Sequence, residues 1–478
     1  MAIEWSSSGL DIHLDWSDGR GDGLADAIRR AVRDGRLAAG SRMPSTRALA
    51  TDLGVARGTV TRAYADLAAE GYLRSRQGAP TVVAALSRPS PTPVPAAPAI
   101  RQEWPWNLMP GRPDLTMFPR NAWLAAARRA LTGAAAADFG YGDELGHPAL
   151  RSALAGYLGR VRGVVAAPER VAVCSGYSQA LGLLATALRA DGARSIAFED
   201  PSLPECRSVV LDAGLATVGV PVDERGIRVD VLADLLAGPD RPAAVVVTPA
   251  HQYPLGATLH PHRRAELVEL ARATGTLVIE DDYDGEFRFD RQPVGALQAM
   301  APDLVAYAGT ASKTLAPGLR LSWLVLPERL LAPVRAAKYF ADRANSVIDQ
   351  LTFAELVTSG HYDQHVRRCR TRYRQRRDKV LDTLADIGGR LTPAGIAAGL
   401  HMVVLLGDDV SEADVVAAAA RRSLLVEGLN RCWMAEGEHP AGIVIGYAAP
   451  QEHAFAGALR VLGETLGPGA PPPESVTH

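Results

Sequence analysis

Near the start of the chain, apolar residues recur at helical spacing at Leu24, Ile28, Ala31 and Val32, and Gly35 then supplies a stop. A second helix is expected from Ser45, just after Pro44, with Leu49, Ala50 and Leu53 inward and Gly54 at its end. A third is expected from about Arg57 to Glu70, with Val60, Tyr64 and Leu67 on one face and Gly71 as its C-terminal cap. The period then shortens to alternation, so Tyr72-Leu73-Arg74 and Thr81-Val82-Val83 read as short strands around Ser75 to Pro80. The pattern is that of a helix-turn-helix followed by a wing.

Repeated prolines between Ser87 and Pro98 remove backbone donors and favour an extended spacer. Past them, long Ala/Leu/Arg helical stretches alternate with short Val-rich runs at Val171–Val173, Ser195–Phe198, Ala244–Val247, Leu277–Ile279 and Val305–Tyr307. Short apolar strands separated by helices predict an α/β domain with a mostly parallel sheet covered on both faces. The expected organisation is a DNA-binding domain over 1–84, a linker over 85–104, a large domain over 105–466 and a disordered tail over 467–478.

Composition narrows the function classes. A hydrophobic fraction of 47% in 478 residues is ample for one large core and a small one. Net charge is only -2, so a nucleic-acid surface has to be a local patch. One is present, where Arg36, Arg42, Arg47, Arg57, Arg62, Arg74 and Arg76 outnumber Asp52, Asp66 and Glu70. Cys174, Cys206, Cys369 and Cys432 lack metal-ligand spacing, which argues against zinc and against a disulfide framework. With no long apolar run, the expectation is a cytoplasmic chain with no membrane partner.

In a helix-turn-helix the third helix enters the major groove with its N-terminal turn foremost, which places Arg57, Gly58, Thr59 and Thr61 near base edges. Arg47 would meet phosphate, and Arg74, Arg76 and the Gln77-Gly78 wing tip would flank the groove. A small helical interaction domain with an arginine-rich face is the alternative. The stretch from Leu37 to Ala50, then Leu53-Gly54-Val55-Ala56-Arg57-Gly58-Thr59-Val60 and Ala69-Glu70-Gly71-Tyr72-Leu73, resembles GntR-type winged helices. That resemblance implies double-stranded DNA as partner, with contacts from Arg47, Arg57, Thr59 and Gly78. Ala56 departs from the hydroxyl residue common before the recognition arginine.

Lys313 is one of three lysines and follows the apolar run Leu304-Val305-Ala306. Pyridoxal 5'-phosphate (PLP) chemistry needs an amine for the aldehyde, an acid for the ring nitrogen, a phenol for the 3-hydroxyl and a phosphate cup. Lys313, Asp281 and Tyr283 supply the first three. Gly176, Tyr177 and Ser178, between a strand and a helix, offer backbone N–H groups to phosphate, and Thr310, Ser312 and Arg320 could complete the cup. Taken singly each element is weak, and the Asp281-Asp282-Tyr283-Asp284 run also reads as a solvated loop or a magnesium site. A metal reading lacks histidines or further acids in register nearby.

From Asn107 to Leu466 the chain resembles a fold-type I aminotransferase. The likeness rests on Gly140-Tyr141-Gly142-Asp143, Ser175-Gly176-Tyr177-Ser178-Gln179, the segment Thr248 to Gly256, Glu280-Asp281-Asp282-Tyr283 and Ser312-Lys313-Thr314-Leu315. With the winged helix in front, the whole chain resembles the MocR family of PLP-dependent transcriptional regulators. The resemblance implies a homodimer with PLP carried on Lys313. Three positions depart from ordinary aminotransferases: Tyr253 replaces the asparagine that reaches the 3-hydroxyl, Leu203 the aromatic that stacks on the ring, and Val444 the arginine that holds a substrate carboxylate. Arg207 or Arg431 could substitute for that arginine.

The expected function is transcription regulation by sensing PLP, or an amine or amino-acid ligand. The alternatives are a working aminotransferase with a DNA-binding head and a cofactor-free DNA-binding scaffold. Seven arginines between Arg367 and Arg377 read as the solvated face of a long helix or as a second DNA-contacting surface.

Overall fold

A computed structural model describes residues 21–76, 79–85, 104–289, 294–388, 391–407 and 409–467. Contacts divide the chain into two compact units, Met1–Gln102 and Glu103–His478. Most of the expected linker, nearly all of the expected tail, and the wing tip Gln77-Gly78 lie outside the described residues.

In the small unit, α1 (Gly21–Arg33), α2 (Thr46–Leu53) and α3 (Arg57–Ala69) bury Leu24, Ile28, Leu49, Val60, Tyr64 and Leu67 in one core with Leu73 and Val83. Each large apolar side chain removed from water contributes roughly 2 kcal/mol. Ser45 caps α2 by accepting the amide of Ala48 at 3.1 Å, and Gly54 ends it at φ 64°, a left-handed conformation that suits glycine. The Tyr64 hydroxyl donates to the carbonyl of Pro44 at 3.0 Å and so ties α3 to the entry of α2. The wing strands β1 (Leu73–Arg74) and β2 (Val82–Val83) pair antiparallel, as the alternation predicted. A bridge from Arg42 to Val82 adds a third edge that the sequence pattern did not show, because a single paired residue has no period.

The large unit begins with β3 (Trp106–Asn107), α4 (Arg120–Gly133) and α5 (Pro148–Arg162). Then come β4 (Val171–Cys174), α6 (Tyr177–Ala190), β5 (Ser195–Asp200), β6 (Ala216–Asp223), β7 (Gly226–Ile227), β8 (Ala244–Val247), β9 (Leu277–Asp282), β10 (Val305–Thr310) and β11 (Ser322–Val325). Eight of these strands form one sheet in the order β4-β11-β10-β9-β8-β5-β6-β7. The central neighbours are parallel, whereas β11 runs antiparallel to both β10 and β4. All five predicted apolar runs are strands of this sheet, and β4, β5, β8 and β10 are buried along their whole length. Helices cover both faces: α6 packs Leu181, Leu184 and Leu188 on one, and α5 packs Leu150, Leu154 and Leu158 on the other. The sequence reading missed β6, β11 and the two-residue β7. The first is half-exposed and carries a proline, and the second is only four residues long and opens on a serine.

A smaller antiparallel sheet follows, made of β12 (Leu391–Ala394), β13 (Met402–Leu406), β14 (Glu427–Gly428) and β15 (Gly442–Ile445) in the order β12-β13-β15-β14. Its apolar face packs with the long helix His361–Ile387 through Cys369, Tyr373, Val380 and Leu384. The arginine run lies on that helix. Arg376 is fully buried, bonded to Asp114 at 2.8 Å and to the carbonyl of Ala448 at 3.0 Å, while Arg367, Arg368 and Arg374 are exposed.

Helix α3 starts at Ala56, whose side chain cannot cap it. Ala56→Ser is therefore expected to stabilise the small unit by about 1 kcal/mol in chemical denaturation.

Candidate cofactor site and nucleic-acid interface

Period-two alternation at the end of β9 sorts its three acids. Glu280 accepts the amides of Leu297 and Gln298, each at 2.8 Å. Asp282, on the same face, pairs with Arg162 at 2.6 and 3.0 Å and accepts the Tyr307 hydroxyl at 2.7 Å. Asp281 faces the other way, towards Tyr177 and Lys313. Burial pushes its carboxyl up to about 8, with Asp282 adding to the rise and Lys313 and Tyr177 opposing it. The Tyr177 hydroxyl is buried beside it, and burial together with the Asp281 carboxylate pushes the phenol well above its ordinary value.

Lys313 follows β10, the neighbour of β9, which is why a residue so distant in sequence meets Asp281. Its Nζ donates to the carbonyl of Gly111 at 2.7 Å. Burial pushes the ammonium below its ordinary value, against the pull of Asp281 and Asp284. Of the other two lysines, Lys338 is a strut bonded to Asp342 and Asn345 at 2.8 Å each, and Lys379 is exposed. Cys206 also lies in the field of Lys313 and Asp281, a neighbour that no motif announced.

The N-terminus of α6 supplies an anion cradle. Gly176 stands before it at φ 102°, its amide donating to Ser322 Oγ at 3.0 Å. A Cβ there would fall 2.6 Å from Arg320 Nη2, so only glycine lets that guanidinium lie against the turn. Arg320 donates to the Ser175 carbonyl, and Ser178 is exposed on the first turn. Thr310 Oγ1 lies 3.0 Å from Ser312 Oγ and accepts the Ser312 amide at 3.1 Å. Behind the turn, Ser175 and Gln179 are held by Asn345 and Asp342, at 2.6 and 2.7 Å.

Tyr283 and Tyr253 belong to a third group. The Tyr283 hydroxyl lies 3.1 Å from His251 Nδ1, which is also 2.9 Å from Asp284 Oδ2. The Tyr253 hydroxyl donates to Glu427 at 3.2 Å, and the ring of His401 lies 5.0 Å from those of Tyr253 and His251. The sequence argument that histidines are absent near the acidic run is corrected here: the fold brings His251 and His401 to Asp284, with one ligand atom of each within 4.8 Å of the others. They come from strands and loops far apart in the chain, so register could not reveal them.

Val444 is buried in an apolar cluster with Val403 and Leu429. Neither candidate replacement for the missing arginine is free. Arg207 donates to the carbonyls of Cys432 and Ser202 at 2.6 and 3.2 Å, and Arg431 pairs with Glu205 at 2.5 Å and Glu427 at 3.4 Å. Leu203 is half-buried at the entry to the helix Pro204–Asp212.

In the small unit, Arg47 on α2 and Arg57 and Thr61 on α3 are exposed, and Thr59 is half-buried in the first turn of α3. Arg57 Nε lies 3.4 Å from Thr46 Oγ1, the Thr61 hydroxyl donates to the Arg57 carbonyl at 3.0 Å, and Arg74 and Arg76 are exposed around the wing. Gly78 lies outside the described residues.

Residues 21–83 match the bacterial regulatory proteins of the gntR family, and residues 110–438 match aminotransferase class I and II. The chain is 35% identical over 93% of its length to the HTH-type pyridoxine biosynthesis transcriptional regulator PdxR of Corynebacterium glutamicum, covering 96% of that protein. It is 31% identical to the probable rhizopine catabolism regulatory protein MocR of Rhizobium meliloti, covering 89% of each chain. This chain belongs to the MocR family. Among solved structures, an archaeal alanine:glyoxylate aminotransferase superposes on 76% of the chain and 90% of its own, with a TM-score of 0.69 and 24% identity. That likeness shows the fold.

A MocR-family chain is a DNA-binding transcription regulator with an aminotransferase-like domain, which favours that reading over an enzyme with an appended head. The large unit has the fold of a PLP-dependent family, and its residues fit the group. The Asp281 carboxyl stays raised by burial although Lys313 opposes the rise, Tyr177 is buried beside it, and a helix N-terminus faces Arg320 where Gly176 leaves out a side chain. Among the described residues no helix is long and apolar enough to cross a membrane.

An acid whose folded value is raised keeps its proton in the folded chain while the unfolded chain loses it, so stability falls as pH rises between the ordinary 3.8 and about 8. Asp281→Asn should remove that slope. In denaturation of PLP-free protein, the variant is expected to gain on the wild type steadily across this window and to match it at the acid end.

Proposed function

We propose that this protein is a homodimeric regulator whose large domain binds PLP and whose winged helices bind a double-stranded operator with an affinity set by PLP occupancy. The observation that carries the reading is the buried Asp281 carboxyl facing Lys313 beside the α6 cradle, in one chain with a winged helix. PLP supplies an aldehyde that an amine can hold reversibly and a pyridine nitrogen that can carry positive charge. Asp281 holds that nitrogen, and its own burial cost falls when it gains a cation to face. Lys313, whose amine burial keeps closer to neutral, holds the aldehyde. The first-turn amides at Tyr177 and Ser178, with Thr310, Ser312 and Arg320, take the phosphate, while the Gly176 amide, already given to Ser322, fixes the turn instead of serving as the expected donor. Tyr283 reaches the 3-hydroxyl, with Tyr253 lining the same side.

PLP itself is the effector. An amino acid needs a cation for its carboxylate, and the position that supplies one in aminotransferases holds Val444 among apolar neighbours. Arg207 and Arg431 are occupied by carbonyls and carboxylates. The 35% identical relative is named for regulation of pyridoxine biosynthesis, which accords with a PLP-sensing role. PLP shifts operator affinity by its differential affinity for two arrangements of the dimer. On the DNA side, Arg57, Thr59 and Thr61 would meet bases and Arg47 phosphate, and the wing-tip contact expected of Gly78 lies outside the described residues.

Titrating PLP into cofactor-depleted protein while following operator binding tests the proposal, and unchanged affinity at saturation refutes it. Multiple turnovers with an amino donor and a keto acid at ordinary enzyme rates would instead favour an aminotransferase. Lys313→Ala should abolish the visible absorbance band of the PLP-loaded protein while leaving it folded by circular dichroism. Arg57→Ala should cost about 1–3 kcal/mol of operator binding and flatten discrimination between operator and mutated sites.

A further inference from the structure

We infer that Asp284 and His251 form a buried relay that aims the hydroxyl proton of Tyr283 at the 3-oxygen of PLP. The inference rests on PLP binding as proposed above and adds two positioning residues that no sequence motif distinguished. His251 and Asp284 are 3% and 2% exposed, so solvent does not compete for their contact. Gly399 keeps the pair closed: at φ +77° it has no Cβ, and one built there would fall 2.3 Å from His251 Cε1 and 2.5 Å from Asp284 Oδ2.

The geometry fixes where each proton sits. A carboxylate only accepts, so the proton in the 2.9 Å contact between Asp284 Oδ2 and His251 Nδ1 belongs to the imidazole. With that proton in place, Nδ1 has no lone pair, and the Tyr283 hydroxyl 3.1 Å away cannot donate to it. The phenol oxygen instead accepts a share of the N–H, and its own proton is left to donate elsewhere. Its ring stands edge-on to Tyr253 and stacks with His401 at 6.4 Å, which restricts where the hydroxyl can swing. Asp281 and Asp284 both lie within the electrostatic reach of Tyr283, so the phenol stands near the acid proposed to hold the pyridine nitrogen.

The consequence is measurable on the visible band of PLP-loaded protein. A Tyr283 proton on the 3-oxygen competes with the proton on the nitrogen that joins PLP to Lys313, so the relay lowers the pH midpoint at which the band changes. Lys313 is otherwise faced by Asp281, Asp284, Cys206 and Arg112, and Tyr283 by Asp281, Asp284, Tyr253 and Tyr447. Asp284→Asn releases His251 Nδ1 to accept the phenol proton and is expected to raise the midpoint by about one pH unit. His251→Phe, which removes the orienting N–H without supplying a competing acceptor, should raise it by less, and Tyr283→Phe should raise it at least as much as Asp284→Asn. Adding Asp284→Asn to Tyr283→Phe should shift it no further than the lost carboxylate charge requires, which Asp284→Asn in a His251→Phe background measures directly. His251→Asn, which keeps an N–H near the Nδ1 position, should restore most of the wild-type midpoint.

A wild-type midpoint in both Asp284→Asn and His251→Phe, with Tyr283→Phe shifted, overturns the relay and leaves PLP binding standing. Stoichiometric metal in the purified protein also overturns it, because His251 would then be a ligand and not a donor. Absence of any visible band in PLP-saturated wild-type protein overturns the proposed function together with the relay.

Discussion

A carboxyl group buried at the end of a parallel strand, with no positive charge to neutralise it fully, is the constraint around which the large domain is organised. Asp281 could be relieved by Lys313, but Lys313 is itself desolvated and turned to the carbonyl of Gly111. Its neighbours on the strand are bonded within the chain: Glu280, which burial still raises to about 7, takes two amides, and Asp282 takes Arg162 and Tyr307. Alternation along β9 thus separates two acids bonded to neighbouring amides, Arg162 and Tyr307 from one turned towards Tyr177 and Lys313.

Everything near Asp281 is held from behind. The α6 turn that would cradle an anion is fixed by Asn345, Asp342 and the fully buried Lys338, and Gly176 leaves room for Arg320 at its mouth. Polar groups anchored in this way lose little freedom when a ligand arrives, so little of the binding free energy goes into ordering them. The contrast with the substrate-carboxylate position is sharp in chemical terms. There the protein has placed an apolar cluster around Val444 and has tied both nearby arginines to groups of its own.

The small unit rests on different physics. Its core is five leucines, three valines, Ile28, Met43 and Tyr64 with alanines between them, and its outward surface carries arginines on α2, α3 and the wing. Charge on a rigid frame suits phosphate and base-edge contacts, and a net charge of -2 for the whole chain concentrates the attraction in that region.

Periodicity and spacing alone determined the helix-turn-helix, the five core strands, and the order Asp281, Tyr283, Lys313 at strand ends, because each is a local pattern that a parallel sheet or an amphipathic helix must repeat. The strands β6, β7 and β11 escaped: β6 is half-exposed and carries a proline, β7 is two residues long, and β11 opens on a serine. Tertiary structure alone decided that His251 and His401 meet Asp284, that Cys206 and Gly111 border Lys313, and that Arg207 and Arg431 are occupied. Those contacts join residues dozens to hundreds of positions apart, and no period along a chain encodes which loops a folded sheet brings to one edge.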